Sequence, residues 1–246
     1  MSKTGKILKY IIVTLLIFIF QQAASRAGGA VADLFDYSTA DPDGTFLWIS
    51  VHHIVQMAAG LLMILCLSRT DIDFCLSSRY SKTGIKYIVI FSAFVEICSV
   101  LGYMIMYKYD NVVPDNNLDP GNIIGTLSFQ LVLSGPSEEI LFRALPVAVL
   151  CSIIRKEYSN KYCVIPVVTA ALLFSAAHIN WSIDPFELQF STLQLIYAFV
   201  FGIAYGLAYL KTKSILYPMI MHSVSNVLMV GTGYIFYAVR GGILYD

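Results

Sequence analysis

Glu138, Glu139 and Arg143 stand in the run Ser-Gly-Pro-Ser-Glu-Glu-Ile-Leu-Phe-Arg, inside an otherwise apolar stretch. Ionisable groups in hydrocarbon cost several kcal/mol each unless they are paired or face a wet cavity. Further on, Phe174 and His178 are four residues apart, and so are His222 and Asn226. That spacing puts each pair on one face of a helix. At about 100° per residue, Glu139 and Arg143 share a face and can pair, while Glu138 points away and is free to meet water. One free carboxylate, two imidazoles and an amide can activate a water and stabilise an oxyanion, the two needs of peptide-bond hydrolysis.

Taken singly, each group has a plainer reading. Glu139 and Arg143 could be a helix-packing ion pair, His178 an interfacial residue, and His222 with Asn226 an interhelical hydrogen-bonding pair. The ion pair leaves the second glutamate unexplained. Glu138, His178 and His222 could also ligate zinc with one position open to water. The chain lacks His-Glu-x-x-His, the local sign of a zinc protease, so the metal-free reading is favoured and no cofactor is required. No serine or cysteine sits in a nucleophile motif, which favours attack by water over a covalent route.

The elements that must position these groups are apolar helices. Of 246 residues 57% are hydrophobic and 13% charged, against about 25% charged in a soluble domain, and the mean hydropathy is +0.71. Net charge is zero, so no bulk attraction to nucleic acid follows. The composition predicts an all-α polytopic membrane bundle, a single domain over residues 1–246. Seven apolar segments, about 7–25, 46–67, 85–106, 122–154, 163–179, 191–210 and 214–237, are near the length that crosses the hydrocarbon. The fourth is too long for one simple span and must tilt, kink or break, and Gly135-Pro136, just before Glu138, is the expected place. Residues 122–237 form the expected catalytic core.

Connections alternate in charge. Lys3, Lys6 and Lys9, then Arg69, Arg79, Lys82 and Lys86, then Arg155, Lys156 and Lys161, then Lys211 and Lys213 fall on one side. Asp33, Asp36, Asp41 and Asp43, then Asp110, Asp115 and Asp119, then Asp184 and Glu187 fall on the other. The positive-inside rule then puts the N-terminus in the cytoplasm. The first segment also resembles a signal peptide, but an uncleaved span is the favoured reading. Trp48, Tyr103, Tyr107, Tyr109, Trp181, Tyr234 and Tyr237 read as interfacial anchors. His52 and His53, near the outer end of span two, are expected at the interface, and Glu96, mid-span in helix three, is a candidate to line the site. The five cysteines, odd in number and without metal spacing, read as apolar fillers rather than a disulfide framework.

Helical rise puts Glu138 and His178 roughly 20 to 25 Å from the cytoplasmic helix ends but His222 only about 12 Å. Convergence therefore requires tilt, a broken fourth helix or a late start to the seventh.

Glu138-Glu139-x-x-x-Arg143, Phe174-x-x-x-His178 and His222-x-x-x-Asn226 together resemble the three motifs of the CAAX protease and bacteriocin-processing family, also called the abortive-infection family, which includes the type II CAAX prenyl endopeptidases. The resemblance covers residues 138–226. It implies a helical intramembrane endopeptidase in which Glu138 and His178 hold the catalytic water, His222 and Asn226 form the oxyanion site, and Glu139, Arg143 and Phe174 support them. Some members are proposed to act in bacteriocin immunity or as scaffolds, so a non-proteolytic, peptide-sequestering or regulatory protein is the alternative. The expected substrate is a peptide or membrane protein, and the expected location is a bacterial cell membrane.

Overall fold

The structure is a computed structural model and describes residues 3–108, 117–154, 163–183 and 185–245. Tyr109, Asp110, Asp115, Arg155, Lys156, Lys161 and Asp184 lie outside the described residues. Seven helices correspond to the seven apolar segments: α1 (Lys3–Ala32), α2 (Leu47–Leu67), α3 (Lys82–Lys108), α4 (residues 120–154), α5 (Val164–Ala176), α6 (Thr192–Thr212) and α7 (Leu216–Tyr245). Five of them, α1, α2, α3, α6 and α7, are long and apolar enough to cross a membrane. The chain is an all-α membrane bundle. An antiparallel hairpin of β1 (Asn180–Ile183) and β2 (Phe186–Gln189), which the apolar pattern did not foretell, joins α5 to α6.

Helix α4 is the axis of the molecule. Leu141, Ala144, Val147, Ala148 and Leu150 on it are inaccessible to solvent, as are Glu139 and Arg143. It starts at Pro120 behind an Asp119 cap, whose carboxylate accepts from the N–H groups of Gly121 (2.8 Å) and Asn122 (3.2 Å). A break at the expected place, Gly135-Pro136, does not occur. Instead the chain stays helical and widens into π turns at Gln130–Ser134 and Ile140–Ala144, on either side of the glutamates. A π turn loosens the i→i−4 ladder locally, so a proline beside it has less to disrupt. Side chains meet carbonyls along this stretch: Gln21 Nε2 of α1 donates to Leu141 O (2.9 Å), and Ser137 Oγ donates to Ser134 O (3.1 Å).

Small residues set how closely the other helices approach α4. A Cβ on Gly135 would meet the Met219 carbonyl at 2.6 Å and the Ser223 nitrogen at 2.8 Å, so only glycine lets the α7 backbone come this near. One turn further along α4, that approach puts Glu139 beside His222. Gly202 on α6 likewise makes room for Arg143, whose Nη2 would lie 3.0 Å from an added Cβ.

The depth mismatch is resolved at the start of α7. Ser214, Ile215 and Tyr217 are buried, and the segment between α2 and α3 covers them. Ile215 N donates to Cys75 O (2.9 Å), Ser214 Oγ donates to Ser77 O, and Tyr217 OH donates to Arg79 O (3.1 Å). Thus α7 begins inside the protein, and His222 lies deep although it is only about two turns along.

On the opposite face, Asp41 holds the start of α2 by accepting from Leu47 N (2.7 Å), Phe46 N (2.8 Å) and Thr45 N (3.0 Å). Burial pushes its carboxyl up, but these donors together outweigh burial and hold it below the ordinary value. Helix α1 is packed into the bundle, with Ile17, Gln21 and Ala24 buried and Tyr10 OH 2.8 Å from Thr169 Oγ1. Two cysteine assignments change: Cys151 and Cys163 pair as a disulfide, their Cα atoms 5.5 Å apart. Tyr234 is buried, with its hydroxyl accepting from Asn122 Nδ2 at 3.2 Å, so it is not an interfacial anchor.

Candidate active site

A cavity of about 450 Å³ opens where α2, α4, α5, α6 and α7 meet, and His53, Ser134, Glu138, His178, His222 and Asn226 are among its lining residues. The two glutamates differ in exposure. Glu138 keeps 17% of its side chain accessible at the cavity wall, whereas Glu139 and Arg143 keep none. Glu139 Oε2 lies 3.5 Å from Arg143 Nε, and its Oε1 lies 2.9 Å from His222 Nδ1. The expected brace is present and also reaches across to α7, because Gly135 admits that helix.

Three imidazoles face the cavity in the same sense. His222 Nδ1 donates to Glu139 Oε1, and His178 Nδ1 donates to the Phe174 carbonyl (2.9 Å). His53 Nδ1 lies 2.7 Å from Ser137 Oγ. Because that hydroxyl spends its proton on Ser134 O, it accepts from His53. Each ring therefore uses Nδ1 as a donor to the protein and leaves Nε2 as the nitrogen available to the cavity. Two of these nitrogens flank Glu138: His222 Nε2 is 3.4 Å from Oε2 and His53 Nε2 is 3.7 Å from Oε1.

Aromatic rings wall the site. Tyr205 stacks on His222 with ring centroids 4.9 Å apart and planes 19° apart, and its hydroxyl pairs with Ser225 Oγ at 2.7 Å. Phe174 meets His178 edge-on at 4.9 Å and lies under the Arg143 guanidinium at 4.4 Å. That cation–π contact and the Phe142 carbonyl, which accepts from Arg143 Nη1 at 2.9 Å, help to offset the cost of a fully buried guanidinium. Asn226 Nδ2 donates one hydrogen to Ser134 Oγ at 2.8 Å, which leaves its second amide hydrogen for a ligand.

Of the residues singled out in the sequence, Glu138, Phe174, His178, His222 and Asn226 line the one cavity, and Glu139 and Arg143 lie behind it. Two others are placed differently from expectation. Glu96 accepts from the Thr232 hydroxyl at 3.2 and 3.3 Å and is not among the residues lining the cavity. His53 is not interfacial. It is 6% exposed, packs edge-on against Phe129 at 5.0 Å and faces Glu138. The missed signal was the stripe His53, Gln56, Gly60 and Ile64, which forms the buried face of α2. Tyr205 was also passed over, although Gly202, Tyr205, Gly206 and Tyr209 form a similar stripe on α6. Among the described residues no group of three or more His, Cys, Asp or Glu side chains is arranged to hold a metal ion.

Comparisons with curated proteins and with solved structures give no match. A family model does match, and its description is type II CAAX prenyl endopeptidase Rce1-like. The match runs over residues 120–228, from the first turn of α4 to just past Asn226, takes in all three motifs, and makes this segment similar to the type II CAAX prenyl endopeptidase Rce1-like family.

Proposed function

We propose that the protein is a glutamate-dependent intramembrane endopeptidase, multi-pass in a cell membrane with its N-terminus in the cytoplasm. The observation that carries this reading is Glu138, a carboxylate at a cavity wall between two imidazole Nε2 atoms, with His178 and Asn226 lining the same cavity. Glu138 is the base, and His178 helps to orient the water. One water proton passes to Glu138 as the water oxygen bonds to the scissile carbonyl carbon, and the carbonyl electron pair moves onto its oxygen. His222 Nε2–H and the free Asn226 amide hydrogen stabilise that oxyanion. The carbon–nitrogen bond then breaks, and Glu138 returns its proton to the leaving amine.

The geometry supports His222 in this role. It lies between the two carboxylates, with Nδ1 2.9 Å from Glu139 Oε1 and Nε2 3.4 Å from Glu138 Oε2, so an Nε2 hydrogen is held at the cavity wall. The same proton is the one the oxyanion needs. The substrate is a peptide or membrane protein that presents an extended segment to the cavity.

The test is cleavage by the wild type and Glu138→Ala in liposomes, using a fluorescence-quenched peptide library and, separately, a prenylated CAAX peptide. Products are read by mass spectrometry and metal content is measured on the same protein. Wild-type cleavage that falls by about 10²-fold or more in Glu138→Ala, without stoichiometric metal, is expected. Equal product from both proteins overturns the mechanism, and chelator-sensitive activity with one bound zinc replaces it with a metalloprotease.

A further inference from the structure

We infer that His53, on α2 and outside the family-matched segment, is a further catalytic residue that accepts the second hydrogen of the attacking water. The inference rests on the endopeptidase reading above. Glu138 offers two oxygens, and the structure occupies them differently. Oε2 faces His222, whose Nε2–H belongs to the oxyanion side. Oε1 faces His53 Nε2 at 3.7 Å, too long for a direct hydrogen bond and short enough for one water to touch both atoms at about 2.8 Å.

What His53 can do there is set by its other nitrogen. Ser137 Oγ gives its proton to the Ser134 carbonyl and so must accept from His53 Nδ1, which fixes the tautomer with a lone pair on Nε2. A water between that lone pair and Glu138 Oε1 directs one hydrogen at each. When it attacks, one proton passes to Glu138, and the other stays on the attacking oxygen, hydrogen-bonded to His53. No net proton reaches His53, so the balance of the reaction is unchanged. With both hydrogens directed at these acceptors, the water oxygen's own lone pairs are left for the scissile carbonyl carbon. His178, across that cavity, is left to act on the substrate side of the water.

The surroundings hold His53 for this task. Ser134, Ser137 and Glu138 lie within two turns of α4, so the relay and the base move as one rigid unit. Phe129 packs edge-on against the ring, and Gly60 lets α2 approach α4, since a Cβ there would meet Ile140 Cγ2 at 2.9 Å.

Two substitutions separate an acceptor from a packing residue. The glutamine side chain places its terminal amide near the position of Nε2, and that of asparagine near the position of Nδ1. An acceptor role predicts that His53→Gln retains more activity than His53→Asn, with kcat in His53→Asn down by about 10²-fold at unchanged KM. A purely structural role predicts the reverse, because asparagine preserves the bond to Ser137. The probe is the quenched peptide that the wild type cleaves fastest from the library, with thermal unfolding measured on each variant. If neither His53 variant folds, Ser137→Ala decides: it frees the tautomer, and a lowered kcat at unchanged KM is expected. Activity within twofold of wild type in both His53 variants, greater activity in His53→Asn than in His53→Gln, or an unchanged Ser137→Ala overturns the inference. Cleavage that needs Glu138 but not His53 overturns this inference alone, whereas no wild-type cleavage overturns the endopeptidase reading with it.

Discussion

Glu96 and Glu138 are both carboxylates carried on apolar helices, α3 and α4, yet their surroundings have little in common. Glu96 receives the hydroxyl of Thr232, on a helix whose apolar residues Phe94, Ile97 and Leu101 remain exposed. Glu138 sits on the most enclosed helix of the molecule, between His53 and His222, with a fully buried ion pair behind it and a cavity in front. Depth in the sequence marks both residues equally. What separates them is convergence: His53 of α2 and His222 of α7 flank Glu138 at a cavity that α5 and α6 also line, whereas among the described residues one hydrogen-bonding side chain, Thr232 of α7, reaches Glu96. A membrane carboxylate with one neutral partner satisfies a helix contact, whereas one flanked by imidazoles and open to a cavity has the means to do chemistry.

The contrast can be broken or sharpened by substitution, with stability read as thermal unfolding in detergent. Glu139→Ala has the largest expected effect. It strands Arg143 without its anion and His222 Nδ1 without its acceptor, and removing one partner of a buried pair costs about 3–5 kcal/mol. A shift no larger than that of Glu96→Gln would show that the ion pair contributes nothing to the site. Gly135→Ala comes next, at about 1–3 kcal/mol, because the added methyl meets the α7 backbone. Activity should fall with it, since His222 moves away from both glutamates.

Asp41→Ala should cost about 1 kcal/mol through loss of its bonds to the backbone at the start of α2, with no change in cleavage chemistry. In the wild type this contribution depends on pH in a definite sense. The folded carboxyl titrates below its ordinary 3.8, so the stabilisation is complete above that value and is lost as pH falls through the lower folded one. The difference in unfolding temperature between wild type and Asp41→Ala should therefore shrink in acid and not at pH 7. Smallest of all is Glu96→Gln, expected within about 0.5 kcal/mol of wild type and fully active.

Much of this was legible in the residues alone. Spacing of four along a helix aligned Glu139 with Arg143, Phe174 with His178 and His222 with Asn226, and hydropathy placed the seven helices that carry them. Two things were not legible, for physical reasons. Helical periodicity says which residues share a face but not what that face meets, so His53 looked interfacial until Gly60 and Gly135 brought α2 and α7 against α4. Proline signals a disturbed helix without saying how the disturbance is absorbed. At Pro136 it is absorbed by π turns, and Glu138 and Glu139 stay on one continuous helix rather than starting a new one.

The most direct test is to compare Glu138→Gln with Glu96→Gln, measuring single-turnover peptide cleavage and thermal unfolding on the same liposome and detergent preparations. Glutamine keeps the shape of each side chain and removes its basicity. Cleavage should fall by about 10²–10⁴-fold in Glu138→Gln and not at all in Glu96→Gln, with both proteins folded. Glu138→Gln cleaving at the wild-type rate would contradict a water-activating role for Glu138.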